Sequence, residues 1–177
     1  MFCLNVRGGT LLQGAKAAIY SIIQIEFAER FPKVISQKAK YALRALVALA
    51  RAGDSMMIGE IAEAERIPRK FLEQILLELK HHGIVMSKRG KFGGYALLAP
   101  AGQITFGAVL RIIDGPIAPL PCLSRIAYRR CADCRNEKEC EIRRVFARVA
   151  TSARDVLDRT SIADALAAPE PAEAGAA

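Results

Sequence analysis

The chain has 177 residues, and its 26 Lys or Arg against 18 Asp or Glu give a net charge of +8. This length suffices for one ordinary domain with an additional element, and for a sizeable core. No run of eighteen uncharged apolar residues occurs, so the sequence supports no membrane span, and we expect no membrane partner.

The first segment, residues 1–34, contains little pattern. Its apolar stretch from Ala15 to Phe27 suits a short helix but lacks a clean secretory cleavage site. We expect either a genuine N-terminal extension or an upstream start chosen in error. In the second case translation begins at Val34, because GUG is an alternative start codon. Cys3 lies in this segment and receives no role.

A first helix is predicted from Ser36, a good capping residue, to about Ala52, where Gly53-Asp54 ends it. Its broad apolar face should pack behind the next helices. Ile58 is expected to begin the next element as a short strand or staple.

A helix-turn-helix and a hairpin are predicted between residues 58 and 98. A short helix over Gly59 to Ala64 precedes a turn at Arg66-Ile67-Pro68, and a second helix follows from about Pro68 to His82. That second helix has an apolar face at i, i+3, i+4 and i+7, formed by Leu72, Ile75, Leu76 and Leu79. The hairpin should comprise strands over residues 84–86 and 95–98, with a basic, glycine-rich turn over residues 88–94. This is the plan of a winged helix-turn-helix, in which a helix enters the major groove.

Charge agrees with a phosphate-facing surface over residues 36–98, which hold eleven Lys or Arg against six Asp or Glu. A merely solvated basic surface would show the same balance. Two motifs are more specific: Phe71-Leu72-Glu73-Gln74 in the second helix, and the segment from Arg89 to Tyr95, RGKFGGY, in the hairpin.

With these motifs the sequence resembles the IscR/NsrR-type regulators of the Rrf2 family, which have a YLEQ-like core and an RGxxGGY wing. The similarity extends from about Ile35 to Leu166. It implies a mainly α fold with a small β-hairpin wing: a winged helix-turn-helix domain (35–100), a helix and cysteine-rich sensor loop (101–140), and a long dimerisation helix with a short terminal helix (141–166).

Candidate DNA contacts lie on three segments. The second helix offers major-groove contacts, the wing offers minor-groove or backbone contacts, and the first helix offers phosphate contacts. They are Arg69, Lys70, Phe71, Glu73 and Gln74; Arg89 and Lys91; and Lys38 and Lys40. Glu can accept from cytosine and Gln can pair with adenine; the alternative for both residues is an exposed helix face without a partner. His81 and His82, without ligand partners nearby, are interpreted as solvated helix-end residues.

After the wing, Thr105 is predicted to cap a helix that ends at Asp114. Residues 116–139 then show little periodicity, and so long an irregular segment is typical of a binding site. Four cysteines, Cys122, Cys131, Cys134 and Cys140, are spaced x8, x2 and x5. Four thiolates suit an iron–sulfur cluster or tetrahedral zinc, and nearby arginines, which favour thiolates, also suit a metal-free disulfide switch.

The resembling regulators hold an iron–sulfur cluster on three cysteines of this loop, with a fourth ligand that differs between subgroups. Their cysteines are usually five or more residues apart, so Cys131-x2-Cys134 departs from the pattern. Some relatives place a histidine three residues after the last cysteine, where this chain has Arg143. An all-cysteine site that includes Cys122 is the natural alternative.

A long helix is predicted from Glu141 to Leu157, with an apolar seam at near-heptad spacing. Packing against its own domain would also explain the seam. We favour a dimer contact, because a palindromic operator needs two copies and the resembling proteins dimerise here. The seam residues are Ile142, Val145, Phe146, Val149 and Val156. Thr160 should cap a last helix over Ile162 to Leu166, and residues 167–177 should be disordered.

The sequence therefore predicts a cytoplasmic, homodimeric transcription regulator that binds double-stranded DNA and senses iron–sulfur status or redox or nitrosative stress. It predicts no enzyme and no small-molecule substrate. The alternatives are a zinc-stabilised protein-interaction module with a basic surface and a metal-free thiol-switch regulator. A thiol oxidoreductase could use Cys131 and Cys134, but no βαβ pattern surrounds them.

Overall fold

The computed structural model describes residues 35–90 and 93–167, and these form six α-helices and one antiparallel hairpin. The predictions for residues 1–34, for Lys91 and for the tail from residue 168 onwards lie outside the described part. The helices are α1 (Gln37–Ala52), α2 (Ile58–Ala64), α3 (Arg69–His81), α4 (Phe106–Ile113), α5 (Glu141–Arg159) and α6 (Ile162–Ala167). The strands are β1 (Val85–Lys88) and β2 (Gly94–Leu97). The mainly helical fold with a small hairpin is confirmed.

The hydrophobic core lies around α1, which contacts α2, α3, α4, α6 and β2. Leu46 and Leu49 of α1 are buried against Ile61 of α2 and Leu72 and Leu76 of α3. The apolar face predicted for the second helix is thus the face that packs, and its opposite face is left for solvent or a partner.

Two predicted caps are present, and a third is wrong. The hydroxyl of Ser36 accepts from the Ala39 amide at 3.0 Å, and that of Thr105 accepts from Ala108 at 3.2 Å. At α6, however, the cap is Ser161, whose hydroxyl accepts from the Asp164 amide. Thr160 instead donates its hydroxyl to the Val156 carbonyl, so it completes the end of α5.

The hairpin is bound to the chain segment before α2. Val85 pairs with Leu97 and Lys88 with Gly94, which shifts both strands slightly from the predicted spans. Met56 and Tyr95 exchange two backbone hydrogen bonds of 2.9 Å each. The prediction that Ile58 supplies this strand-like contact is therefore wrong, because Met56 supplies it and Ile58 begins α2.

The junction between α4 and α5 is made by side chains and backbone together. Arg111 donates two hydrogen bonds to the Asp158 carboxylate, at 2.6 and 2.8 Å. Gly107 lies so close that an added Cβ would stand 1.9 Å from Asp158 Oδ1. Nearby, the Phe106 amide donates to the Thr160 carbonyl at 3.0 Å. The C-terminal end of α5 is therefore fixed to the helix-turn-helix body.

None of the helices in the described part is both long enough and apolar enough to cross a membrane.

Candidate nucleic-acid interface and cysteine site

The exposed face of α3 contains most of the predicted DNA contacts. Arg69, Lys70, Glu73 and Gln74 are all exposed, opposite the buried leucines of the same helix. Arg69 Nε and Glu73 Oε1 form an ion pair at 3.4 Å across one turn. An exposed pair of this kind stabilises little, so either side chain can exchange its partner for a nucleotide.

Phe71 does not belong to this exposed face, although the sequence placed it there. Its side chain is half-buried and packs against the core. The ring meets Tyr41 of α1 edge-on, with centroids 5.8 Å apart and planes at 77°. Phe71 therefore supports the orientation of α3 on α1, and we withdraw it as a groove contact.

The two lysines of α1 lie on different sides of the helix. Lys38 forms an ion pair of 2.5 Å with Glu78 of α3. Lys40 is exposed on a different side, where it borders a groove with Arg44, Arg51 and Phe106. Residues two apart on a helix are rotated by about 200° around its axis, so the two side chains leave α1 in nearly opposite directions.

The wing is fixed at its base by contacts of β1 with the segment before α2 and with α3. Lys88 donates to Asp54 at 2.7 Å, and this hydrogen bond lowers the pKa of the Asp54 carboxyl. Lys80 donates to Ser87 at 2.7 Å. Arg89, which follows β1, is exposed and forms no ion pair with a described residue. The glycine that precedes Tyr95 is essential here, because a Cβ on Gly94 would lie 2.2 Å from the Met56 carbonyl oxygen.

Sequence reasoning overlooked Arg66, in the turn between α2 and α3. It is exposed, and its φ of +51° is the one positive φ outside glycine in the described part of the chain. The sequence feature that could have singled out Arg66 is its position, because it is a large residue in the tight turn that precedes the predicted recognition helix.

The four cysteines of the loop line one cavity of about 560 Å³, together with Arg135 and Arg143. All four are free thiols. Cys122 is buried in a 3₁₀ turn (Pro121–Leu123), and Cys140 is the N-cap of α5, where its sulfur accepts from the Arg143 amide at 3.4 Å. The sequence-predicted cysteine group is thus brought together at the N-terminal end of α5.

The 3₁₀ turn is held on α5 by two arginines of that helix. Arg143 donates to the Cys122 carbonyl at 3.5 Å, and Arg154 donates to the Leu123 carbonyl at 3.4 Å. Arg143 also lies 3.8 Å from Glu137, measured from Nε to Oε2. The position where some relatives place a histidine ligand is therefore occupied by a cation that binds protein oxygens.

The environment of Cys131 contradicts the expectation that nearby arginines favour thiolates. Desolvation by burial raises the pKa of the Cys131 thiol, and its hydrogen bond with Cys122 raises it further. Arg130 donates to the Cys134 and Arg135 carbonyls at 2.9 Å each. At Cys131 the neutral thiol is favoured.

The donor set suits a thiophilic metal or cluster, but the ligands are not closely gathered. Four cysteine sulfurs around one cavity are the ligands of zinc and of iron–sulfur clusters. Within residues 35–90 and 93–167, however, no three His, Cys, Asp or Glu side chains lie close enough to hold a metal ion. A single zinc ion draws its sulfurs to about 2.3 Å from one point, whereas a cluster distributes them over several irons. By donor chemistry the four thiols therefore suit zinc and a cluster alike.

The apolar seam of α5 is exposed along the helix. The fractional exposures are 62% for Ile142, 61% for Val145, 39% for Phe146, 51% for Val149 and 64% for Val156. Only Ala150 of this helix is buried. Packing against its own domain, the alternative left open by the sequence, does not cover these five side chains in the described structure.

Comparisons with known proteins agree on one group. A family model described as "Rrf2: Iron-dependent Transcriptional regulator" matches residues 35–168. A putative rrf2-like HTH-type transcriptional regulator of Rhodobacter capsulatus is 47% identical over 144 residues, covering 78% of this chain and 96% of that protein. The solved structure of CymR, the global cysteine regulator of B. subtilis, has a TM-score of 0.63 and 28% identity, covering 75% and 95% of the two chains. The structure of T. potens IscR has a TM-score of 0.60 and 25% identity, covering 85% and 96%.

Proposed function

Because this chain belongs to the Rrf2 family of transcriptional regulators, we propose that it binds a palindromic DNA operator as a homodimer and that its cysteine loop senses iron–sulfur status or redox or nitrosative stress. Members of this family are regulators rather than enzymes. The proposal includes action in the cytoplasm, where DNA and reduced thiols occur together.

The observation that supports DNA binding is the polar face of α3 beside the fixed wing. A helix that buries one apolar face and exposes Arg69, Lys70, Glu73 and Gln74 matches a recognition helix in the major groove. The wing tip, with Arg89, then lies where it can reach the adjacent backbone or minor groove. The basic charge of the region adds affinity that depends on salt concentration.

The exposed seam of α5 supports the homodimer. Five large apolar side chains on one helix face form a contiguous patch of the kind that marks an interface. A second copy that presents the same face by two-fold symmetry would cover it. Symmetry also places two recognition helices on one side of the DNA, as half-sites about 34 Å apart require.

For the cysteine loop, Cys131, Cys134 and Cys140 would hold an iron–sulfur cluster, with Cys122 as the fourth thiol. When bound, such a cluster supplies redox and nitric-oxide-sensitive chemistry. The chain's own contribution is the rigid 3₁₀ turn that fixes Cys122 on α5, and the α5 cap that fixes Cys140. Arg143 is placed to offset negative charge in the cavity without being a ligand.

Purification without oxygen, followed by an absorbance spectrum and metal analysis, tests this assignment. We expect visible absorbance and bound iron, and we expect Cys131→Ala, Cys134→Ala or Cys140→Ala to abolish both. Cys122→Ala should do the same if Cys122 is the fourth ligand. Cys3→Ala is the matched control and should keep the chromophore. A colourless protein that contains about one zinc per chain would contradict the cluster assignment and identify the site as a zinc site.

A thiol switch is the second candidate, favoured by the position of Cys122 and Cys131 as free thiols lining the same cavity. In that case the two thiols lose two electrons and two protons to a peroxide and form a disulfide. The solved structures of relatives include the oxidized form of Staphylococcus aureus CymR. Metal-free protein that forms a Cys122–Cys131 disulfide under peroxide, and then changes its DNA affinity, would select this candidate over the cluster.

A further inference from the structure

The turn before the recognition helix has a backbone conformation that its residue does not favour. Arg66 has a φ of +51°, in the left-handed region that glycine and asparagine adopt far more readily than arginine. The turn is held in place by hydrogen bonds from the Arg66 amide to the Glu63 carbonyl and from the Ile67 amide to the Ala62 carbonyl, at 3.2 and 2.9 Å. Ile67 is buried, so the packing of the turn fixes this conformation.

The Arg66 side chain is exposed, and it forms no ion pair or hydrogen bond with a residue in the described part of the chain. Its neighbour Glu65, the nearest acid in sequence, already binds Arg44 at 2.9 Å. An arginine in a strained turn with no polar partner among the described residues is a candidate for a contact with another molecule.

We propose that Arg66 is a DNA-contacting residue whose guanidinium neutralises an operator phosphate next to the first turn of α3. The turn immediately precedes Arg69 and Lys70, which are exposed on that helix. In helix-turn-helix proteins the start of the recognition helix meets the groove, and the flanking groups meet the backbone that borders it. A long cation at residue 66 extends the basic surface from the groove to that backbone. The inference rests on the DNA binding proposed above.

Three substitutions separate the charge of Arg66 from the strain of its backbone. Arg66→Gly and Arg66→Asn relieve the strain and remove the charge, whereas Arg66→Lys keeps both. We would select a duplex from random-sequence DNA with the wild-type protein, and measure binding to it and to an unselected duplex over a range of salt concentrations.

For Arg66→Gly and Arg66→Asn we expect thermal stability equal to or above that of wild type, but several-fold weaker binding to both duplexes by a similar factor. The slope of log Kobs against log salt concentration should fall by about 0.9, as expected for one lost phosphate contact. Arg66→Lys should keep nearly the wild-type slope. Arg159→Ala, which removes the same charge from the last turn of α5, is the control and should leave the slope unchanged.

Folded Arg66→Gly or Arg66→Asn protein with the wild-type slope and affinity would overturn the inference while leaving the proposed function intact. A loss restricted to the selected duplex would also overturn it, because a phosphate contact is independent of sequence. Wild-type protein that binds no duplex would overturn the proposed function, and this inference with it.

Discussion

Substitution of Gly94 by alanine should detach the wing from the segment before α2. A Cβ at this position would stand 2.2 Å from the Met56 carbonyl oxygen and 2.6 Å from its carbon. Both are backbone atoms, so no flexible side chain can move aside. The two hydrogen bonds between Met56 and Tyr95 would have to lengthen or break. At about 0.5–1.5 kcal/mol for each bond, with about 1–3 kcal/mol for overpacking, the free energy of unfolding should fall by roughly 2–6 kcal/mol.

Urea unfolding at one fixed protein concentration would measure this effect, with Gly59→Ala as the matched control. Gly59 lies in α2 with no heavy atom within 4 Å of its added Cβ, so alanine there should stabilise the protein by up to about 1 kcal/mol. The two glycine-to-alanine changes are thus expected to have opposite signs. Loss of the hydrogen bonds between Met56 and Tyr95 should also weaken DNA binding, because the wing that carries Arg89 would no longer be held in place. Gly94→Ala protein that unfolds at the wild-type urea concentration would refute the steric reasoning.

Three further predictions concern the interface, the wing and the α4–α5 junction. Val149→Glu should convert the dimer to a monomer in sedimentation, because it places a charge in the exposed seam; a dimeric variant would locate the interface elsewhere. Arg89→Ala should cost about 1–3 kcal/mol in operator binding if Arg89 contacts a base, and unchanged isotherms at several salt concentrations would exclude it. The Arg111 hydrogen bonds lower the pKa of the Asp158 carboxyl in the folded protein. The ion pair should therefore stabilise the protein fully at a pH above the pKa of an unfolded-state aspartate, about 3.9, and this stabilisation should be lost as the pH falls through the lower pKa of the folded state. The stability difference between wild type and Asp158→Asn should therefore shrink in acid; a difference independent of pH would contradict this.

Local sequence rules predicted the fold well where the controlling residues are neighbours in the chain. Ser36 and Thr105 cap their helices because a hydroxyl needs only the amide three residues ahead. The apolar face of α3 follows from helical periodicity alone. Before α6, two adjacent residues, Thr160 and Ser161, each carry a hydroxyl that could cap the helix. Ser161 is the cap because Thr160 is still bound to the preceding helix.

The errors arose where a distant partner decides what a side chain does. The sequence predicts a groove contact for Phe71, but Tyr41 gives its ring a packing partner. It predicts a phosphate contact for Lys38, and the surface ion pair of Lys38 with Glu78 is a partner that the pattern does not show. Neither partner is visible in a local pattern. The same holds for Arg111 and Asp158, which are 47 residues apart and belong to no motif. The four cysteines that the spacing grouped together line one cavity, whereas the distances between them depend on how an irregular loop packs on α5.

The fixed end of α5 determines how motion in the cysteine loop would be transmitted. The helix has 19 residues and is therefore about 28 Å long. Its final turn is held to α4, whereas its first residue follows Cys140, so the helix acts as a lever pivoted at one end. A displacement of about 2 Å at Cys140 would tilt the axis by about 4° over that length. In a two-fold symmetric dimer both protomers tilt equally, so the angle between the two DNA-binding bodies changes by twice that amount. In the proposed dimer, a movement of this size among the thiols would therefore change the angle between the two recognition helices, and with it their fit to the two half-sites.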